Sequence, residues 1–581
     1  MNTTMKRKRI TTTTNSSSQL SETTSTAASS EFYLPDECWE LICTFLADGN
    51  HSYLEYLSLA CKRFLSITNR LRDSFTISDS TLPFIPTLFH RFPNLESLHI
   101  TSFQGDLNAL LRQISKFPLE DLESLELSNL SKFPSKGLRA FSKKITTLTS
   151  FACSNIGLFR NKDFFLISNC FPFLEELHLH LQHDNLSSQF IGIWLKAMFT
   201  VLPELRKIKL SGDGFLDLNY DSLLLHLCKK CEFLEEVVML SCKFLTHDGI
   251  ASAISQRPTL TSLVFGWNGY KIQENISSHF IDSLVNLKGL TCVNLLCTQI
   301  LDELLSSIAT AELPLRKFIL QYCIGYSYAG IFSLLSKCQH IRHLTLRRAD
   351  FLNDHHIAEL SIFLAHLVYI NLTECWQLTD STLFALVRNC PSLRNIIMEH
   401  TTIGENIEEN SNSLTDFVVN PQLKSLYFAH NSWLTNESLI VFASIFPNLL
   451  MLDLSYCYNI SEESIYQVLK RCCKMKHLNL TKCNLVKLNI LNFEVPKLEV
   501  LNLSDTSIDD ETLYIISKNC CRLLQLLLES CNNVTNKGVK HVIENCTQLR
   551  EINLINCYKV SADTVNNMVH SRTSLRKILF K

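Results

Sequence analysis

The chain has 581 residues, with 54 basic and 56 acidic side chains and a formal net charge of -2. Because these charges balance, the composition gives no electrostatic reason to expect nucleic acid or an anionic membrane as a partner. With 46% hydrophobic residues the chain can bury a large core. No stretch reaches the roughly 20 uninterrupted apolar residues that a membrane helix needs.

Residues 1–30 are rich in serine and threonine and lack apolar periodicity, which predicts a disordered tail. The run Lys6-Arg7-Lys8-Arg9 is either a nuclear import signal or a chance basic cluster. No apolar segment follows it, so we expect no secretory signal peptide. The 23 cysteines are therefore expected to be reduced thiols, in a protein that is cytoplasmic, nuclear or both.

Residues 31–72 carry the apolar spacing of three short helices. In the first, Leu34 to Leu46, apolar residues recur three and four positions apart and form one stripe. Pro35 and the two acidic residues after it suit a first helical turn. Three such helices cannot bury much apolar surface alone, so the stripe needs a partner protein or the rest of the chain to cover it. The two further helices are predicted at about His51–Ala60 and Lys62–Leu71.

This segment contains a Leu-Pro-x-Glu motif that begins at Leu34, followed by apolar residues at Ile42 and Leu46. A later run, LSLACKRF, ends at Phe64. In these motifs the segment resembles the F-box family, although Ala60 and Phe64 stand where that family commonly has valine and tryptophan. The resemblance implies binding to a Skp-type adaptor and through it to a cullin. The residues expected to contact the adaptor are Leu34, Pro35, Ile42, Phe45, Leu46, Leu57, Leu59 and Phe64.

From Leu95 to Lys581 the sequence repeats the pattern LxxLxLxxC, or a close variant, with a commonest step of about 26 residues. The alternating LxL core predicts a strand with one buried face, and the second half of each unit has helical spacing. This period is typical of leucine-rich repeats. We therefore predict an α/β solenoid of about 19 stacked units over residues 95–581, after a linker or first cap at 73–94. Clear copies of the motif begin at Leu367, Leu449, Leu523 and Leu549.

Many cysteines occupy fixed positions of this repeat, which favours small buried side chains over cross-links. The pattern resembles the cysteine-containing class of leucine-rich repeat that is typical of F-box proteins. One group falls at the ninth motif position: Cys242, Cys323, Cys375, Cys457, Cys483, Cys531 and Cys557. A second group precedes the motif by three residues: Cys231, Cys338, Cys390, Cys472, Cys520 and Cys546.

No set of residues indicates catalysis. The sequence contains no phosphate-binding GxxxxGK[ST] loop, no GxSxG elbow and no HExxH helix. The pair Cys228 and Cys231 lacks two further zinc ligands at a workable spacing, since Cys242 already sits at a repeat core position. We predict a protein that is not an enzyme and that holds no metal and no cofactor.

The residues between the motif leucines are expected to line the concave side of the solenoid. Because aromatic and arginine side chains are concentrated in interface hot spots, we predict a substrate surface between Val238 and Tyr369. Four repeats, which start at Leu174, Leu205, Leu260 and Leu393, are longer than the rest. We interpret the polar stretch 401–413 in the last of them as a tolerated insertion. The candidate substrate-binding residues are Val238, Leu240, Trp267, Tyr322, Arg347, Arg348 and Tyr369.

Three functions are compatible with these patterns. The resemblance implies the substrate receptor of a Skp–cullin–F-box ubiquitin ligase, which holds an unidentified protein substrate and acts by proximity. A small-molecule receptor of the plant hormone type shares this architecture, but its inositol phosphate site needs clustered basic residues. Here the concave basic residues are scattered, namely Lys207, Lys209, Lys317, Arg347 and Arg348. The third function is a scaffold without a ligase role, whose first three helices only cap the array.

Overall fold

The structure is a computed structural model. The chain divides into two compact units, residues 1–72 and 73–581. The predicted tail at 1–30, with its basic run, lies outside the described residues. None of the helices in the described part of the chain combines the length and hydropathy that crossing a bilayer requires. The structure describes residues 34–47, 52–181, 188–212, 218–242, 244–266, 276–404, 419–572 and 574–580.

The first unit contains the three predicted helices: α1 (Asp36–Ala47), α2 (Ser52–Ser58) and α3 (Lys62–Arg70). Its core is small, with Cys43, Leu54 and Ile67 buried at the centre. Trp39 and Phe64 pack against this core, and their rings meet edge to face with centroids 4.9 Å apart. We call this first unit the head. Only a few of its apolar residues are buried in its own core.

Ion pairs join α1 to α3. The Oδ1 of Asp36 lies 2.7 Å from Nε of Arg63, and its Oδ2 lies 3.2 Å from Nη2 of Arg70. Nε of Arg70 also lies 2.6 Å from Oε1 of Glu40. The hydrogen bond from Arg63 is the main reason why the pKa of Asp36 is lowered. We expected the acidic residues of the first turn because they interact favourably with the helix dipole. They also hold α1 against α3 through these ion pairs.

The second unit is a leucine-rich-repeat solenoid, and the 20 strands in its described residues form one sheet. Each strand pairs in parallel with the next one along the chain. The strands are β1 (Ser74–Ile77), β2 (Ser97–Thr101), β3 (Ser124–Leu130), β4 (Ser150–Ile156), β5 (Glu176–Leu181), β6 (Lys207–Gly212), β7 (Glu236–Leu240), β8 (Ser262–Gly266), β9 (Cys292–Leu296), β10 (Lys317–Gln321), β11 (His343–Arg347), β12 (Tyr369–Asn371), β13 (Asn395–Ile397), β14 (Ser425–Tyr427), β15 (Met451–Asp453), β16 (His477–Asn479), β17 (Val500–Asn502), β18 (Gln525–Leu527), β19 (Glu551–Leu554) and β20 (Lys577–Phe580).

Helices occupy most of the connections between successive strands, as the repeat pattern predicts. A short 3-10 helix (Asp79–Phe84) precedes α4. The helices are α4 (Ile85–Arg91), α5 (Leu107–Ile114), α6 (Ser135–Phe141), α7 (Asn161–Cys170), α8 (Ser188–Thr200), α9 (Tyr220–Lys230), α10 (His247–Ile254), α11 (Ser278–Val285), α12 (Asp302–Thr310), α13 (Tyr328–Lys337), α14 (Asp354–Ser361), α15 (Asp380–Asn389), α16 (Asn436–Ile445), α17 (Glu462–Arg471), α18 (Asp510–Asn519), α19 (Asn536–Asn545) and α20 (Ala562–Ser571).

The sheet starts one unit earlier than the motif count indicated. Residues 73–94, which we expected to be a linker or first cap, contain β1 and α4. Phe75 of β1 pairs with Leu98 of β2 in the register of the later strands. The apolar pattern of this stretch is weak, so the sequence does not show its strand clearly. In the structure this strand continues the sheet of the array.

Buried thiols line the solenoid. All seven cysteines at the ninth motif position are buried. Six of their thiols donate to a carbonyl oxygen of the preceding repeat, whereas Cys242 donates to Leu240 of its own repeat. For example, Sγ of Cys375 lies 3.1 Å from the oxygen of Leu346, and burial raises the pKa of this thiol to about 12. Cys228 and Cys231 are also buried core residues. In the described residues no three His, Cys, Asp or Glu side chains lie close enough together to hold a metal ion.

Carboxylate and amide side chains at the start of several helices accept hydrogen bonds from the backbone of the next repeat. Oδ1 of Asp302 accepts a hydrogen bond of 2.7 Å from the backbone N–H of Ser327, the residue that caps the next helix, α13. Glycine at position 330, three residues later, leaves room for this carboxylate, which a Cβ would overlap. The same contact recurs for Asp221 and Thr246, Asp354 and Thr379, Asn436 and Ser461, Asp510 and Thr535, and Asn536 and Ser561.

Asp380 occupies the same position but lacks the same partners. Its Oδ1 accepts from the backbone N–H of Gly404 at 3.0 Å, while Oδ2 is buried and accepts no hydrogen bond from the described residues. Burial raises the pKa of Asp380 to about 7. A buried carboxylate with an unsatisfied oxygen destabilises the fold when it is ionised.

We expect Gly330→Ala to lower the free energy of unfolding by about 1–3 kcal/mol, because the added methyl displaces the carboxylate of Asp302. Urea denaturation measures this change. Gly289→Ala is the matched control, since its Cβ would lie 3.9 Å from the nearest atom of Thr261. Equal stability of the two variants would contradict a stabilising role for the hydrogen bond that Asp302 accepts from Ser327.

We expect Asp380→Asn to stabilise the protein most above pH 7. The folded pKa is about 7 and the unfolded value is about 3.9, so the folded state binds the extra proton between these limits. Stability contributed by the wild-type carboxyl therefore falls as the pH rises from about 4 to 7. Denaturation at pH 8 should show a gain of about 1–3 kcal/mol for the variant, and a smaller gain at pH 5. A gain that is the same at both pH values would contradict this explanation.

Candidate protein-binding surfaces

The apolar stripe of α1 is exposed. Leu41, Phe45 and Leu46 expose 60%, 70% and 50% of their surface, and Leu59 after α2 exposes 84%. Apolar side chains of this size, next to one another on a small helical unit, are typical of a protein-binding face. We call Leu41, Ile42, Phe45, Leu46 and Leu59 the head face.

The predicted adaptor-binding residues fall into two groups. The exposed group is Leu34, Pro35, Ile42, Phe45, Leu46 and Leu59. Leu57 and Phe64 are half-buried and pack against the core of the head. They therefore support the fold of the head, and their role in binding is indirect. Leu41 was left out of the predicted set although it belongs to the same stripe, and helical spacing alone would have added it.

On the solenoid, the residues between the motif leucines form rows across the sheet. Val238 of β7 lies between Lys209 of β6 and Val264 of β8, and both Val238 and Leu240 are half-buried. Trp267, the next aromatic candidate, lies outside the described residues, as does Tyr270. Also outside are 182–187, 213–217, 267–275 and 405–418, which fall in the four longer repeats and include most of the polar stretch 401–413.

Tyr322 and Arg347, two of the predicted residues, come together around a third residue. Nη2 of Arg347 lies 2.6 Å from Oε1 of Glu374, and the hydroxyl of Tyr322 donates to the same oxygen at 3.0 Å. The guanidinium of Arg347 also lies over the ring of Tyr322, 4.6 Å from its centroid. The predicted set missed Glu374 because it lies on another repeat. Only the register of the sheet shows that the three residues meet.

The electrostatics of this cluster follow from its contacts. Burial acts to raise the pKa of Glu374, but the hydrogen bonds from Arg347 and Tyr322 outweigh it and hold the pKa below its usual value. Burial, and then the hydrogen bond to Glu374, raise the pKa of Tyr322. Arg347 is thus already neutralised by an internal partner. By contrast, Arg348 is exposed, and no ion pair joins it to the described residues.

The remaining predicted residues do not join this cluster. Tyr369 lies in the first row of β12 beside His343 of β11, with ring centroids 5.7 Å apart. Val238 and Leu240 lie three strands before β10. Of the scattered basic residues, Lys207 lies 2.5 Å from Oε1 of Glu176. Two of the five basic residues are therefore paired with carboxylates of this chain, which argues against an anion site built from the whole set.

We expect Arg347→Glu to destabilise the solenoid by about 1 kcal/mol, because it places a second carboxylate beside Glu374. The exposed Arg348→Glu should change stability by less than about 0.5 kcal/mol. Urea denaturation distinguishes them, and Glu374→Arg combined with Arg347→Glu should recover part of the loss. If Arg347→Glu were as stable as Arg348→Glu, the pair with Glu374 would have no structural role.

No protein-family model matches the chain. A BTB/POZ domain-containing protein named FBL11, from Arabidopsis thaliana, is 26% identical over 244 residues, which is 41% of this chain and 24% of that protein. The chain thus matches about a quarter of that relative's length.

Two solved structures align with the chain at low similarity. The yeast complex of Rad7 and Elc1 contains a chain that aligns with a TM-score of 0.43 and 17% identity, over 82% of this chain and 98% of that one. A TLR13–ssRNA13 complex aligns with a TM-score of 0.43 and 16% identity, over 88% of this chain and 82% of that one. Elc1 and ssRNA13 are the binding partners of those two proteins.

Proposed function

We propose that this chain is the substrate-recognition subunit of a Skp–cullin–F-box ubiquitin ligase. In this proposal residues 34–72 dock on a Skp-type adaptor that connects to a cullin, and the solenoid holds a protein substrate. The observation that carries the proposal is the head face, an exposed apolar surface on a module whose sequence resembles an F-box.

The packing of the head supports this role. Its core uses Cys43, Leu54 and Ile67, and the clamp between Asp36 and the arginines of α3 fixes α1. The head face adds nothing to that core while it is exposed. Burying one large apolar side chain contributes roughly 1.5–3 kcal/mol, so covering this face by a partner is favourable.

The solenoid would contribute by holding, without chemistry of its own. A substrate bound on the solenoid and a ubiquitin-conjugating enzyme bound through the cullin would share one complex, which raises their effective concentration. No bond-making group from this chain is needed in that mechanism. The proposal places the protein in the cytoplasm, the nucleus or both, where it would direct its substrate to ubiquitination and proteasomal degradation.

We expect the purified full chain to bind a purified Skp-type adaptor, and Phe45→Glu to weaken that binding at least tenfold, or by about 1.4 kcal/mol. The charge would have to be buried in an apolar interface, whereas the fold should be unchanged because Phe45 is mostly exposed. Isothermal titration calorimetry measures the affinity.

Phe173→Glu is the matched control, because Phe173 is a similarly exposed phenylalanine, at 65%, in the solenoid. It should bind the adaptor as the wild type does. If the folded wild type failed to bind the adaptor, or if Phe45→Glu bound it normally, the proposal would be wrong.

A further inference from the structure

One position of the repeat imposes an unusual backbone conformation. The residue that lies five places after the first residue of each strand has a positive φ in 15 described repeats, with values between 50° and 63°. We call this set of positions the left-handed column. Glycine tolerates this conformation best, followed by asparagine, aspartate and histidine, while other large side chains are disfavoured there.

The residue types along the left-handed column change abruptly. On either side of residues 322–482 the column carries small residues: Ser102, Asn129, Asn155, Ser241, Cys297, Asp505, Ser530 and Asn556. From β10 to β16, seven successive strands are followed instead by Tyr322, Arg348, Glu374, His400, His430, Tyr456 and Lys482. The backbone does not require these large side chains, since the same turn forms elsewhere with asparagine or serine. The turn alone therefore does not account for them.

Three of these side chains form a continuous stack. The rings of His400 and His430 lie 4.2 Å apart and are inclined by 12°. The rings of His430 and Tyr456 lie 4.0 Å apart and are inclined by 16°. Nζ of Lys482 lies 4.9 Å from the centroid of Tyr456 and closes one end. We call His400, His430 and Tyr456 the ring stack.

The stack covers the ring faces and leaves ring edges available. Ring edges carry partial positive charge, and here they include the imidazole nitrogens and the tyrosine hydroxyl. No hydrogen bond to the described residues occupies the ring nitrogens of His400 and His430. Edges of this kind suit hydrogen-bond acceptors such as the backbone carbonyls of an extended chain.

A carboxylate that forms no ion pair with the described residues lies beside the ring stack. Glu399 precedes His400 and is half-buried, and the described residues offer its carboxylate no ion pair. Burial, and then the nearby carboxylate of Asp453, raise the pKa of Glu399. Asp453 accepts from Asn479 and Ser455 at 2.9 Å each, which are neutral donors. Glu374, one repeat earlier, forms an ion pair with Arg347, whereas Arg347 acts on Glu399 without forming an ion pair with it.

Exposed indole rings flank the same surface. Trp376 is 50% exposed and its ring meets that of His400 at 65°, with centroids 6.0 Å apart. Trp433 is 53% exposed and follows His430 by three residues. Aromatic faces of this kind bind the ammonium or guanidinium of a cationic side chain.

We propose that the ring stack and Glu399 bind an extended segment of a second protein that carries a lysine or arginine side chain. The cationic side chain pairs with Glu399 beside the exposed indoles, and the ring edges donate to backbone carbonyls of the segment. This inference rests on the proposed function, in which the solenoid holds the substrate. It moves the substrate surface from the predicted 238–369 toward β13–β16 and names the substrate class as a basic, extended segment.

The test uses selection from a displayed library of random-sequence peptides on the purified full chain. The wild type should enrich peptides that contain lysine or arginine. The variant His400→Asn, His430→Asn and Tyr456→Asn should bind the enriched peptides at least tenfold more weakly. It should melt no lower than the wild type, because asparagine suits the left-handed column.

Two further variants make the outcome specific. Glu399→Gln should lose the preference for basic peptides, because it removes the charge but keeps the shape. Ser530→Asn, in the same column outside the stretch, should select as the wild type does. Selection of acidic peptides, no enrichment by the wild type, or undiminished binding by the triple variant would overturn the inference. Adaptor binding measured on the same preparations separates this failure from failure of the proposed function, since the head face does not involve these residues.

Discussion

The structure depends on the stacking of each repeat on the next in strict register. One strand and one helix cannot bury their own apolar faces, so every unit is stable only against its neighbours. The parallel pairing places buried residues such as Leu98, Leu125 and Phe151 in one continuous row. The same register repeats the thiol contacts and the contacts from Asp302 and its equivalents. Because these contacts bind one unit to the next, the sheet sets which side chains of neighbouring repeats lie beside one another.

Much of the fold could be predicted from the sequence, because apolar spacing follows directly from strand and helix geometry. The three head helices lie within a few residues of the predicted bounds, and the predicted strands form one parallel sheet. Residues 73–94 were predicted as a linker or first cap, and they contain β1 and α4; their weak apolar pattern did not show the strand that joins the sheet. The pairing of Arg347 with Glu374 could not be seen, since the two residues lie 27 positions apart and meet only in the sheet. The left-handed column could have been predicted from the sequence, because aligning the repeats on their first strand residue places His400, His430 and Tyr456 in one line.

Binding at the two candidate surfaces would depend on different interactions. The head face is an apolar helix surface, and its binding would be driven by removal of carbon from water. The ring stack is a polar and aromatic surface, where hydrogen bonds and one ion pair would select among partners. In a substrate receptor this division is useful, because the adaptor is constant whereas the substrate must be chosen. The large residues at positions that favour small ones are consistent with that choice, since they bring no benefit to the backbone.

The claim on which this account rests is that a separate protein covers the head face. Hydrogen–deuterium exchange of the full chain, with and without a Skp-type adaptor, tests it directly, because exchange is slowed where backbone becomes protected. The account predicts that the adaptor slows exchange in α1 and around Leu59 and leaves β2–β20 unchanged. Unchanged exchange throughout the head, or protection only in the solenoid, would contradict it.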